Sequence, residues 1–386
     1  GAVTLGGDVS LTTTNSNVLF SSTLNSDATS ARSLTVSVGS GNITFTGAVG
    51  GSRGLGNISL TSTGTSTFSS TVSATSILQN STTGTTAING GSITTSGTQE
   101  YRNNVTLGAD AALSATTTTF KGTVTGAYGL AITGNAVFGD GTADTVTLSG
   151  TGKNLSVSGT TAINTSTITT SGTQTYTDAV TVNTALTLSA SGITTGSTMA
   201  ASANALTLTT DAIALGGNVS GTGALIIQPK TDTTTIGVGS SASGSLSLSD
   251  TELGYLQDGF SSITIGSTTG TGAVAINYSG SYTFTDPLTI RSKATSGGGA
   301  ISATDALNTG SNSLTITTFG AVSLVSVTSG ALAVTGNGIT LNADVTTSGA
   351  QSYTGAVTLG ASITLASTGA SSTGNNIAFS STINGT

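Results

Sequence analysis

The sequence has no cysteine and no histidine, and among 386 residues it has only 2 prolines and 6% charged residues. Without cysteine the chain can form neither a disulfide, nor a thiolate metal site, nor a thiol nucleophile. Without histidine it lacks the commonest general base and metal ligand. The 15 acidic and 8 basic residues leave little material for a catalytic centre. We therefore predict that the chain is not an enzyme and has neither catalytic nor cofactor-binding residues.

Two partner classes are also disfavoured by what is missing. The net charge is −7 and no basic patch occurs, so we expect no nucleic-acid partner. No segment approaches the roughly 18 apolar residues of a membrane-spanning helix. Residues 2–5 already follow a strand pattern and no signal peptide precedes them, so we expect the chain to be a fragment of a longer protein.

What the sequence has in abundance is glycine, 55 residues, with threonine, valine and isoleucine throughout. Apolar and polar residues alternate over short stretches such as 34–38, 206–208 and 263–265, which is typical of strands with one buried face. Glycine and asparagine separate these stretches and suit tight corners. Good helix formers are scarce. The pattern predicts an all-β protein.

Internal repetition is the strongest feature. The string Thr-Thr-Ser-Gly-(Thr/Ala)-Gln-x-Tyr occurs at residues 94–101, 169–176 and 346–353, and 75 residues separate the first two copies. Residues 85–89 and 160–164 repeat at the same offset. Short strands, corners and a long repeat favour a β-solenoid. Strands of about four residues with short corners give roughly 18–24 residues per coil, so the repeat would hold three or four coils.

The sequence resembles the repeat arrays of large filamentous-haemagglutinin-like surface adhesins of Gram-negative bacteria. The resemblance lies in residues 41–51 (GNITFTGAVGG), in the repeated unit at 85–107 and 160–182, and in residues 215–223, 248–253 and 260–266. It implies a right-handed parallel β-helix, secreted to the bacterial cell surface, that acts as a structural or adhesive shaft. We expect residues 1–386 to form one elongated array with a local excursion at 250–260. Its partners would be neighbouring copies, or the rest of the parent protein, end to end. The alternative is a glycan-binding or polysaccharide-degrading β-helix, with cell-surface glycan as partner.

Asp140 and Asp144, within residues 138–146, are the best metal candidates. The segment resembles the Gly- and Asp-rich Ca²⁺ turns of nonapeptide β-helix repeats. Those sites take ligands from successive coils, whereas this segment occurs once. We favour a plain polar corner, with Ca²⁺ as the weaker alternative.

Asp250, Glu252 and Asp258 form the densest acidic cluster. Paired carboxylates could cleave a glycosidic bond. The structural interpretation is preferred: a short helical turn in which Asp250 is the N-cap. Its apolar residues would pack over the solenoid; these are Leu253, Leu256 and Phe260.

Tyrosine recurs after the repeated glutamine as Tyr101, Tyr176 and Tyr353, and Tyr282 lies in a related setting. The four could form a row of exposed aromatic rings that bind glycan, or a packing anchor at one corner. Their recurrence in one register favours packing.

Repeated threonine triplets could form an outward-facing array on the solenoid. Thr-x-Thr triplets such as 44–46 and 315–317 could build the flat threonine array of an ice-binding solenoid. Their uneven spacing, and the ordinary preference of threonine for exposed strands, disfavour that use.

Asparagines at repeated positions could stack as a hydrogen-bond ladder along one corner; these are Asn17, Asn42, Asn89, Asn164 and Asn376.

Overall fold

The computed structural model describes residues 1–27, 29–369 and 375–385. The chain is a β-solenoid of about 18 turns built from parallel stacked coils, with 49% strand and 2% helix. This confirms the all-β solenoid prediction. The chain forms two compact units: unit 1 comprises Gly1–Leu186 and Thr194–Ser197, and unit 2 comprises Thr187–Ile193 and Thr198–Thr386.

The first strands belong to unit 1 and are β1 (Val3–Leu5), β2 (Val9–Thr12), β3 (Val18–Phe20), β4 (Leu24–Ser26), β5 (Leu34–Ser37), β6 (Ile43–Phe45), β7 (Leu55–Thr61), β8 (Thr65–Phe68), β9 (Val72–Gln79), β10 (Thr85–Ile88), β11 (Ser92–Thr95), β12 (Gln99–Tyr101), β13 (Asn104–Leu107), β14 (Ala111–Phe120), β15 (Val124–Gly126), β16 (Leu130–Phe138), β17 (Thr145–Leu148), β18 (Leu155–Val157), β19 (Thr161–Ile163), β20 (Thr167–Thr170), β21 (Thr173–Tyr176) and β22 (Val180–Val182).

The following strands are β23 (Leu186–Ala190), β24 (Gly192–Thr195), β25 (Met199–Ala200), β26 (Leu206–Thr210), β27 (Ile213–Leu215), β28 (Val219–Ser220), β29 (Ala224–Gln228), β30 (Ile236–Val238) and β31 (Leu246–Leu248), after which comes helix α1 (Asp250–Tyr255).

The remaining strands belong to unit 2 and are β32 (Ser262–Ile265), β33 (Val274–Ile276), β34 (Leu288–Arg291), β35 (Ile301–Ala303), β36 (Leu307–Asn308), β37 (Leu314–Thr317), β38 (Ala321–Leu324), β39 (Val327–Ser329), β40 (Leu332–Thr335), β41 (Gly338–Leu341), β42 (Val345–Thr347), β43 (Gln351–Thr354), β44 (Val357–Leu359), β45 (Leu365–Ser367), β46 (Ile377–Phe379) and β47 (Ile383–Gly385).

A coil has three faces, which the chain visits in a fixed order. In unit 1, β10 lies on the first face, β11 on the second and β12 on the third, and β13 returns to the first face beside β10. The long strands β14 and β16 each cover the second and third faces. In unit 2, β34, β35, β36 and β37 follow the same order.

Coil length varies widely. Thr85 pairs with Asn104, nineteen residues later, and Val18 pairs with Ile43, twenty-five residues later. In unit 2 the distance from Gln351 to its partner is twenty-six residues. The predicted range of about 18–24 therefore holds for many coils, but some exceed it. The faces keep short strands in register, so the additional residues enter the corners.

Inward side chains stack into continuous columns. On the second face of unit 1 one buried column consists of Val72, Ile93, Leu113, Ile132, Val157 and Tyr176. On the first face of unit 2 another consists of Leu206, Leu225, Ile263, Leu288, Leu314, Leu332 and Gln351. Because side chains of a strand alternate between inside and outside, this stacking gives the coils along these columns a mainly apolar interior.

Unit 2 contains one irregular coil. Leu225 of β29 pairs with Ile263 of β32, thirty-eight residues later. Within this coil β30 is followed by β31, which pairs in parallel with it on the side opposite β33. The chain then forms α1, and Leu256 bridges to Val219 on the third face. The second face thus gains a strand that the first face lacks.

Candidate functional site

The repeated Gln-x-Tyr string forms a buried hydrogen-bond network at a corner. The Tyr101 hydroxyl donates to Gln99 Oε1 at 3.0 Å, and both side chains are fully buried. Gln99 Nε2 donates to the carbonyl of Ile93 in its own coil at 3.1 Å and to that of Ser114 in the next coil at 3.0 Å. Burial raises the pKa of Tyr101, so this hydroxyl keeps its proton. The network therefore fastens a corner to the coil beside it.

The other two copies repeat the buried tyrosine–glutamine pair. The Tyr176 hydroxyl donates to Gln174 Oε1 at 3.1 Å, and the Tyr353 hydroxyl donates to Gln351 Oε1 at 2.9 Å. Gln351 Nε2 also reaches into the next coil, donating to Ala366 O at 2.8 Å. All four side chains are buried.

The three copies occupy three different corners. The first joins the second face to the third (β11 to β12), and the second joins the first face to the second (β20 to β21). In unit 2 the third joins the third face to the first (β42 to β43). The 75-residue offset is therefore one third of a turn short of four coils. The favoured packing role agrees with the burial of Tyr101, Tyr176 and Tyr353. The expectation of one shared corner was wrong, since Tyr101 and Tyr176 lie on different faces of unit 1.

Tyr282 lies in a different setting from the other three tyrosines. It is half-buried, and its hydroxyl donates to Leu253 O of α1 at 2.6 Å. Its ring meets Phe284 edge-on, with centroids 4.8 Å apart, and lies 6.0 Å from the Tyr278 ring. This tyrosine anchors the helix to the coil that follows.

The acidic residues at α1 bind backbone amides. Glu252 Oε1 accepts from Leu215 N at 3.0 Å. Asp250 accepts from Ser240 N at 2.9 Å and from Ser279 N at 2.8 Å. The bonds from Ser279 and Ser240 lower the pKa of Asp250, so it stays ionised. These two carboxylates thus join the helix to neighbouring coils.

The N-cap of α1 is Ser249; the prediction of Asp250 was wrong by one residue. Ser249 and Glu252 form a capping box: Glu252 N donates to Ser249 Oγ at 3.3 Å, and Ser249 N donates to Glu252 Oε2 at 2.8 Å. In a capping box the side chain three residues after the N-cap accepts a hydrogen bond from the N-cap amide. An N-cap at Asp250 would place Leu253 at that position, and leucine cannot accept a hydrogen bond. Leu253, Leu256 and Phe260 are buried, as the interpretation of a packed helical turn requires.

Asp140 and Asp144 form a polar corner. Asp144 Oδ2 accepts from Asp140 N at 3.1 Å and from Gly141 N at 3.2 Å. The carboxylate therefore faces amide hydrogens of its own turn. Within residues 1–27, 29–369 and 375–385, no three acidic, histidine or cysteine side chains group closely enough to hold a metal ion.

Corner asparagines link coils, mostly through backbone amides. Asn17 Oδ1 accepts from Asn42 N at 2.8 Å, and Asn42 Oδ1 accepts from Thr65 N at 2.8 Å. Asn42 therefore binds both the preceding coil and the following one. Between Asn164 and Asn183 the contact joins two side-chain amides: Asn183 Nδ2 donates to Asn164 Oδ1 at 2.8 Å. The expected ladder of bonds between side-chain amides is therefore replaced, at Asn17 and Asn42, by bonds from backbone amides to asparagine side-chain oxygens.

Sequence reasoning missed Asp286. It is buried, one carboxylate oxygen accepts from Gly259 N at 3.0 Å, and the other has no hydrogen-bond partner among the described residues. Burial, followed by the charge of Asp258, raises the pKa of Asp286. No motif surrounds it, so only the fold identifies it.

No protein-family model matches the chain, and no curated protein and no solved structure matches it. In the part of the chain that the structure describes, no helix has the length and apolarity needed to cross a membrane.

Proposed function

We propose that the chain is a structural or adhesive shaft of a secreted bacterial surface protein or extracellular fibre, and that it does not catalyse a reaction. The observation that supports this most is the buried glutamine–tyrosine pair that recurs at three corners, because the glutamine of the first and third copies also binds a carbonyl of the next coil. An architecture that repeats its coil-to-coil fastening serves length and rigidity. The acidic residues that could have served an enzyme bind backbone amides, as at Asp250 and Glu252.

Force spectroscopy tests the shaft role. The whole chain is fused between two globular handle domains and pulled from its ends. A shaft of stacked coils should open coil by coil. Coils of 18 to 26 residues, as from Leu314 to Leu332 and from Gln351 to Ile377, should each release about 65–95 Å of chain. Release of the whole chain in one step, at a force below that of the handles, would contradict the proposal.

Binding and enzymatic assays separate the shaft from its alternative. The purified chain is incubated with a panel of polysaccharides, and newly formed reducing ends are measured. A parallel glycan array measures binding. We expect no new reducing ends; their appearance would replace the shaft proposal with a polysaccharide-degrading β-helix. Antibodies against the chain should label intact cells of the source bacterium, and labelling only after cell lysis would contradict surface exposure.

A further inference from the structure

The first face of unit 1 presents a threonine array. Its strands are β6, β8, β10, β13, β15, β17 and β20, and their outward residues form an aligned column across consecutive coils. The column consists of Thr44, Thr67, Ala87, Thr106, Thr125, Thr147 and Thr169.

A second column runs beside the first, two residues earlier in each strand. Register places Thr65 beside Thr85, Thr85 beside Asn104, and Thr145 beside Thr167, and Thr123 directly precedes β15. The spacing of Thr-x-Thr in the sequence is uneven because coil lengths differ. Pairing of the strands nevertheless aligns the threonines, which removes the objection that uneven spacing raised.

The hydroxyls of this array are free of protein partners. Among the described residues, no side-chain hydroxyl of the threonines in the two columns makes a hydrogen bond to the protein. Threonines and serines that point inward or line the corners behave differently: Thr86 Oγ1 donates to Asn103 Oδ1 at 2.9 Å, and Ser62 Oγ donates to Gly41 O at 2.6 Å. The outward hydroxyls are available to water.

The array is also uncharged, because no acidic or basic residue occupies either column. Charged groups of unit 1 lie elsewhere, as in the contacts of Glu100 with Arg102 and Lys121, at 2.7 and 3.0 Å, and of Asp110 with Lys153, at 2.8 Å. A neutral face that repeats hydroxyl and methyl groups matches a neutral lattice of hydrogen-bonding groups.

We propose that the first face of unit 1 binds ice. The threonines of the array lie about 4.8 Å apart between neighbouring strands and about 6.7 Å apart along one strand, where they occupy alternate positions. That rectangle is close to the repeat of oxygen atoms on a prism face of hexagonal ice. Each hydroxyl can replace a lattice water, and each methyl group can fit the space between waters. This inference stands on the threonine face alone and does not depend on the shaft role.

Partition into ice tests the proposal. The full chain, labelled with a fluorophore at its amino terminus, is placed in solution around a slowly growing ice hemisphere, with labelled albumin as the excluded reference. Wild-type chain should enter the ice. Thr125→Tyr, in the middle of the column, should lose this uptake and fall to the albumin level. Thr119→Tyr is the matched control: Thr119 is a half-buried outward threonine of β14 on the third face, and its variant should keep full uptake.

Circular dichroism melting establishes that each variant is folded. Should Thr125→Tyr fail to fold, the double variant Thr125→Val and Thr147→Val removes two hydroxyls while preserving shape, and it should lower uptake. Exclusion of the wild-type chain from ice, or equal uptake by the two tyrosine variants, would overturn the proposal. So would retention on microcrystalline cellulose or chitin without uptake into ice, because the face would then recognise a polysaccharide lattice.

Discussion

The buried network of Gln99 and Tyr101 allows a quantitative test of how corners are fastened. Tyr101→Phe removes one hydroxyl and leaves Gln99 Oε1 without its donor in a fully buried site. Gln99→Met keeps the length of the side chain but removes the bonds to Ile93 O and Ser114 O and the acceptor of Tyr101. The two changes share one hydrogen bond.

The expected energies follow from that sharing. A buried polar group left without a partner costs about 1–3 kcal/mol, so Tyr101→Phe should destabilise its corner by that amount. Gln99→Met should cost more, since it leaves the Tyr101 hydroxyl without its acceptor and also removes the bonds to Ile93 O and Ser114 O. In the Gln99→Met variant, the further change Tyr101→Phe removes a hydroxyl that is already unpaired, so it should hardly change the free energy of unfolding. The coupling between the two positions should therefore be about 1–3 kcal/mol.

Native-state hydrogen exchange is the suitable assay, because stacked coils open locally rather than in one transition. The reporter is the amide of Lys121, which donates to Tyr101 O at 2.8 Å. A local loss of about 1.4 kcal/mol accelerates its exchange about tenfold. Tyr128→Phe is the control: Tyr128 is 36% exposed, and removing its hydroxyl should not alter exchange. If Tyr101→Phe changes exchange no more than this control, or if the double variant equals the sum of the single ones, the reasoning fails.

Two further predictions concern Asp286 and coil register. Burial raises the pKa of Asp286, so its contribution to stability is present at low pH and is lost as pH rises through the folded-state pKa. Asp286→Asn should thus raise the melting temperature at pH 7 and should give no gain near pH 3; equal effects at both values would contradict this. Deletion of residues 86–104 joins Thr85 to Val105, which pairs in register with Thr86, and should yield a folded chain by circular dichroism. Deletion of 86–105 reverses the inward and outward positions of β10 and should lower the melting temperature below that of the first deletion; identical melting of the two deletions would refute the register argument.

Much of the fold could be predicted because alternation of apolar and polar residues is a local signal. The strands at 34–38, 206–208 and 263–265, and the packed turn around Leu253, follow from residues adjacent in sequence. The short helix was recognisable because a helix start has its own residue pattern, although serine and aspartate both suit an N-cap and the choice between Ser249 and Asp250 needed the structure.

Assignment of residues to faces could not be predicted. The Gln-x-Tyr string closes any corner, so its position in the sequence does not say which faces it joins. The alignment of Thr125 with Thr147 depends on the lengths of intervening corners, which no local pattern fixes. The placement of β31 beside β30 and the burial of Asp286 likewise arise from contacts between distant segments.

The equivalence of the three corners has a consequence for how such a gene can lengthen. If a solenoid had a distinct sequence for each corner, only duplications encoding whole coils would leave the stack intact. Here the same Gln-x-Tyr corner joins the second face to the third at Tyr101 and the first face to the second at Tyr176, so a segment encoding one strand and one such corner is not tied to one face. Replication slippage would therefore have a finer unit to copy, and the length of the protein could change in steps of a single strand.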